Sequence, residues 1–150
     1  MKLRHIYLFV VLLTGTAVKA QQTNDRRTPT PQEIKMLNHT ADSILKQLRI
    51  IFQAEVKENN PGHYQPERIQ WVRQYLMLFQ HFQTSATIVA YTPKHISQIF
   101  GKPDSVFVVN KKEGEFSYFY RGLEKKYINI SNLRYRFYFS QNLLQRVVRE

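Results

Sequence analysis

Cysteine is absent from the 150 residues, glycine occurs five times, and 11 acidic residues face 22 Lys plus Arg. Without Cys there is no disulfide framework, no thiolate metal site and no Cys nucleophile. Five glycines supply no phosphate-cradling loop. No apolar run reaches the roughly 18 residues that a spanning helix needs, so the mature chain is read as having no transmembrane span. The acids are thin. Asp25, Asp42 and Asp104 are the only Asp residues, and no pair of carboxylates is placed for acid–base work. Serine occurs without a GxSxG elbow or an SxxK motif. His5, His39, His63, His81 and His95 are scattered, with no HxxxH or HExxH spacing. These absences assign no catalytic residue, no metal ligand and no cofactor, and the chain is read as a non-enzyme.

What the chain has is charge and rings. The formal charge is +11, hydrophobic residues make up 43%, and there are ten Phe, nine Tyr and one Trp. That composition fits one folded domain rather than a disordered chain.

The first 20 residues read as a secretory signal. Lys2, Arg4 and His5 form a basic start, Ile6 to Leu13 a short apolar core, and Ala17-Val18-Lys19-Ala20 a small-residue cleavage site. A retained anchor or a buried strand are the competing readings. Cleavage after Ala20 removes Lys2, Arg4 and Lys19 and lowers the charge from +11 to +8. The expected location is periplasmic or extracellular. Export disfavours nucleic acid as the partner of the basic surface. It favours an envelope protein or an anionic surface, lipid heads or polysaccharide.

Residues 21–30 are polar and carry a proline, which reads as a flexible lead-in to a single domain over 31–150. Thr30-Pro31-Gln32-Glu33 is a capping box with proline at the first helical position. Ile34, Leu37, Ala41, Ile44, Leu45, Leu48, Ile51 and Phe52 then recur at steps of three and four, predicting a helix over about 31–57. Asn59-Asn60-Pro61-Gly62 ends it. A second helix is expected over about 66–83. Its stripes Ile69, Val72, Leu76, Phe79 and Trp71, Tyr75, Leu78, Phe82 predict burial on two sides. Thr92-Pro93 opens a third helix over about 93–100, stopped by Gly101 and Pro103.

After Asp104 the period changes to two. Strands are predicted over about 106–109, 116–121, 133–139 and 143–149, with a weaker one at Tyr127, Ile128 and Ile130. Helices first and an antiparallel meander last define an α+β domain, with the N-terminal helices packed on one face of the C-terminal sheet. The last hairpin carries a conflict. A two-residue loop at Gln141-Asn142 sets Leu144 and Val148 beside Phe139 and Tyr135, but it also sets Arg146 opposite Phe137. A one-residue slip exchanges the faces.

Lys111, Lys112, Arg121, Arg134, Arg136 and Tyr138 form the candidate binding surface, with Lys125, Lys126, Arg146 and Arg149 in the same half of the chain. Interleaved with Tyr and Phe, they suggest a stacking platform for a sugar or a single strand. The plainer reading is a solvated sheet face whose long basic stems cover apolar surface, and alternation alone favours it. Asn38-His39-Thr40 and Asn129-Ile130-Ser131 are sequons, read as chance occurrences.

The stretch Thr92 to Asp104, with Phe100-Gly101-Lys102-Pro103-Asp104 at its end, resembles a recurring envelope-protein pattern. A capped helical turn runs into an apolar-Gly-x-Pro-Asp stop. An aromatic strand follows at Phe116 to Tyr120, then a strand pair at Tyr135 to Phe139 and Leu144 to Val148. Over Thr92 to Glu150 the chain resembles the SmpA/OmlA outer-membrane assembly lipoproteins and the similarly shaped β-lactamase-inhibitor-protein fold. That resemblance implies a non-catalytic binding domain of the bacterial envelope that recognises another protein. Two alternatives stand beside it. One is an enzyme-inhibitor-like module presenting Asn110 to Gly114. The other is a small hydrolase, in which His81 or His95 meets a carboxylate in space.

Overall fold

The computed structural model describes residues 25–59, 65–121 and 133–150. Three helices precede a four-stranded antiparallel sheet: α1 (Pro31–Lys57), α2 (Gln65–Ser85), α3 (Pro93–Phe100), β1 (Ser105–Asn110), β2 (Glu115–Tyr120), β3 (Tyr135–Ser140) and β4 (Leu143–Arg149). The strands lie in the order β1-β2-β3-β4. This is the expected α+β meander. The short strand expected at Tyr127–Ile130 lies outside the described residues, as do the first twenty residues, His63, Lys125 and Lys126.

Each helix starts for a visible reason. At α1 the Thr30 hydroxyl accepts from the Glu33 N–H (3.2 Å), and the Glu33 carboxylate accepts from the Thr30 N–H (2.7 Å). Arg27 then grips that carboxylate with two bonds of 2.8 and 2.6 Å. At α3 the Thr92 hydroxyl accepts from the His95 N–H, and His95 Nδ1 accepts from the Thr92 N–H (3.2 Å). A histidine thus does what Glu does in the usual capping box. Gly101 ends α3 at φ +78, a conformation that L side chains rarely adopt. Its carbonyl accepts from the Tyr120 hydroxyl (3.0 Å).

The α1 stripe is buried from Ile34 to Phe52, with Leu45 half-buried, and it continues to Glu55. Glu55 is buried by its seat between helices and pairs with Arg68 of α2 at 3.1 Å. On α2, Tyr75, Leu78, Phe79 and Phe82 are buried, while Ile69, placed on a stripe by its spacing, is exposed. Ile69 lies in the first turns of α2, away from the ring cluster that buries the later residues.

The helices cover one face of the sheet. Phe116, Tyr118 and Tyr120 of β2 pair with Phe139, Phe137 and Tyr135 of β3, so their rings share that inner face. Phe79 lies flat on Tyr135, with ring centroids 3.4 Å apart, and edges against Phe137 at 5.6 Å. Phe82 and Phe100 complete the contact with Phe137 at 5.9 and 5.4 Å. Most of the chain's aromatic residues in the described sheet are therefore core.

The lead-in is not wholly free. Within it, the Arg27 N–H donates to Ile88 O (3.0 Å), and Arg27 O accepts from the Ala90 N–H (2.8 Å). Arg26 Nη1 donates to Leu144 O (2.9 Å). A polar stretch without periodicity is held here by backbone and guanidinium bonds, which leave no trace in an apolar pattern.

The last hairpin resolves its own conflict. Gln141 and Asn142 both take positive φ, 49° and 64°, which makes the tight turn that a two-residue loop requires. Leu144 pairs with Phe139, as expected. The register then shifts between Tyr138 and Phe139, so Arg146 faces Tyr138, Val147 faces Phe137, Val148 faces Arg136 and Arg149 faces Tyr135. The expected pairings of Val148 with Tyr135 and Arg146 with Phe137 are both replaced. A bulge at Gln145 adds one residue, which keeps Leu144 and Val147 inside and turns Arg146 out.

Candidate functional site: the outer face of the sheet

The outer face is set by the same registers. One row across the sheet reads Ser105, Phe119, Arg136, Val148, and the next reads Phe107, Ser117, Tyr138, Arg146. The sheet's main helical neighbour is α2 against β4, and the ring contacts of α2 and α3 fall on the other side. Of the described strand aromatics, Phe107, Phe119 and Tyr138 belong to this face.

The face is organised by arginines lying on rings. The Arg136 guanidinium carbon is 4.5 Å from the Phe107 centroid and 5.3 Å from that of Phe119. The Arg146 carbon is 4.2 Å from the Tyr138 centroid. Arg136 also donates from Nε to the Glu150 carboxylate, and that bond raises its pKa. Ser117 lies between Phe107 and Tyr138 in its row and is buried, with no partner for its hydroxyl among the described residues. A residue this small lets the longer side chains around it close over the sheet.

The sequence-derived surface is thus divided. Arg136 and Tyr138 lie on the open face and touch the neighbouring strands. Lys111 and Lys112 are exposed at the tip of the β1–β2 hairpin, where the Lys112 N–H donates to Asn110 Oδ1 (3.1 Å). Arg134 is exposed just before β3. Arg121 follows β2, half-buried, with its backbone N–H on Asp104 Oδ2 (2.8 Å). Among the described residues, the chain's own guanidiniums already lie over the rings of Phe107, Phe119 and Tyr138. The alternation alone sets Arg146 opposite Phe137, whereas it faces Tyr138 on the outer side. The signal that would have placed it outside, the bulge, is not written in the alternation.

Elsewhere two histidines take structural partners. His81 Nε2 lies 3.3 Å from the Tyr91 hydroxyl, and His95 is held in its cap. Burial and the nearby Lys94 lower the His95 pKa. Among the described residues, no group of three His, Asp, Glu or Cys is placed to hold a metal ion. Asn38, the first sequon residue, donates its amide to Ile99 O (3.0 Å) and so ties α1 to α3. The Phe100–Asp104 motif is the joint between α3 and β1. Phe100 stacks on Phe79 at 5.2 Å, and the Asp104 N–H donates to Phe119 O (2.9 Å).

Among the described residues no helix is long and apolar enough to cross a membrane. No protein-family model, no curated protein and no solved structure matches this chain.

Proposed function

We propose that this chain is an exported, non-catalytic binding domain of the bacterial cell envelope, whose open sheet face docks an anionic surface. One observation carries the reading: Arg136 and Arg146 lie over rings on the sheet face opposite the helices. A guanidinium held on a ring has lost most of its rotamer freedom before a ligand arrives, so less is lost when it binds an anion. Arg134, Lys111 and Lys112 add exposed charge around that face. The engagement of His81 by Tyr91 and of His95 by the Thr92 cap favours binding over hydrolysis. The basic-apolar-small order of the first twenty residues supports export, and the likeness to envelope binding domains supports the class.

The test is cosedimentation with phosphatidylglycerol-containing vesicles, against phosphatidylcholine alone, at low salt and near 1 M salt, where charges are screened within about 3 Å. Retention on the anionic vesicles alone, lost in high salt, is expected. Arg146→Gln and Lys111→Gln should each weaken it by about fivefold, the equivalent of roughly 1 kcal/mol per charge. Equal retention on both vesicle types, or retention that survives high salt, rejects the docking. Mass spectrometry of the secreted product should show an amino terminus at Gln21. A cytoplasmic, unprocessed chain rejects export.

A further inference from the structure

The two edges of the sheet are treated differently. On the β4 edge the Leu144 N–H donates to Tyr91 O (2.8 Å). Arg26 donates to Leu144 O (2.9 Å), and Gln83 Nε2 donates to Val147 O (3.1 Å). That edge is closed by the chain itself. On the β1 edge no described element runs alongside, and β1 pairs with β2 only.

The composition of the open edge is unusual for a free strand. Ser105–Asn110 reads SVFVVN, without charge or proline. Val106, Phe107, Val108 and Val109 are 46–68% exposed. Proteins normally guard such an edge with charge, proline, a bulge or a covering element, because its unpaired N–H and C=O groups template further pairing. Here a single irregularity at Val109 guards the hairpin end and leaves Ser105–Val108 regular. Val106 and Val108 face the same side as Tyr118 and Phe116, yet the helices do not reach far enough to cover them.

The charges that flank this strand say which occupant fits. Asp104 precedes it, and Lys111 and Lys112 follow it. A second copy laid antiparallel about Phe107 sets Asp104 of one chain opposite Asn110 of the other and so next to Lys111, at both ends. A parallel copy brings like charges together. We propose that the protein forms a two-fold dimer by antiparallel pairing of β1 with β1 of a second copy, giving one continuous eight-stranded sheet. Directly opposed residues must lie on the same face. That condition is met with the axis at Phe107: Phe107 meets its own copy on the outer face, and Val106 meets Val108 on the inner face. Arg136 of each chain, already on Phe107, then flanks a central pair of rings. This dimer stands independently of what the outer face binds.

The experiment uses the absence of Cys. Sedimentation equilibrium of the unmodified protein over a concentration series should show a reversible monomer–dimer equilibrium. Phe107→Cys should form a disulfide-linked dimer rapidly under mild oxidation. Val148→Cys, on the same face at the far strand, should not. Val106→Lys with Val108→Lys sets like charges opposite each other and should weaken dimerisation by at least about tenfold, with unchanged circular dichroism. Lys111→Glu with Lys112→Glu should weaken it too, because like charges then meet at both ends. A protein that stays monomeric at all concentrations overturns the proposal. So does Phe107→Cys cross-linking no faster than Val148→Cys, or a dimer indifferent to the paired lysines in β1.

Discussion

Glu33 shows how much one side chain gathers. Its carboxylate accepts from the Arg27 guanidinium and from the Thr30 N–H, and these bonds hold its pKa down from 4.5 to about 2. A depressed carboxylate favours folding in its ionised form. Its contribution is therefore whole above about pH 4.5 and is lost as pH falls toward 2. Urea titrations from pH 6 down to about 2 should show the gap between the protein and Glu33→Gln closing through that window. A gap that stays constant over the window would falsify the assignment. The spacing Thr30-x-x-Glu33 announced the cap, because both partners lie within one turn. Arg27 as a third partner was not legible, since it depends on its own backbone being docked on Ile88 and Ala90.

The last hairpin makes the same point for an element. Alternation located β3 and β4, and two turn residues located the reversal. The bulge at Gln145 could not be read from the alternation, because it obeys the burial of Val147 and Leu144 together, and that is fixed only when the core assembles around them. Removing the extra residue should restore the conflict: Arg146 enters the inner face or Val147 leaves it. Deleting Gln145 should cost about 3 kcal/mol or more, the scale of an unpaired buried charge or a lost core contact. Gln145→Ala, which keeps the count, should change stability by under about 0.5 kcal/mol. Chemical unfolding of the two variants measures the contrast; equal losses would mean that the side chain matters and the bulge does not.

For the molecule as a whole, the joining event is the seating of α2 on the sheet through rings. Phe137 is fully buried and touches Phe79, Phe82, Phe100 and Tyr120, which come from α2, α3 and β2. Phe137→Ala should cost about 3–5 kcal/mol in unfolding free energy. Its strand neighbour Tyr138→Ala, on the open face, should cost far less, and a smaller gap between the two would argue against the assigned faces. The order of elements, the caps, the hairpin turn and the burial of one strand face were all legible in the chain. They are consequences of local spacing: 3.6 residues per helical turn, two per strand repeat, and Gly, Pro or Asn where the backbone must bend. Which rings are core and which arginines lie on rings was settled by packing. So were the closing of the β4 edge and the opening of the β1 edge. Those features depend on how far each helix reaches across the sheet, a distance between segments remote in sequence that no local period encodes.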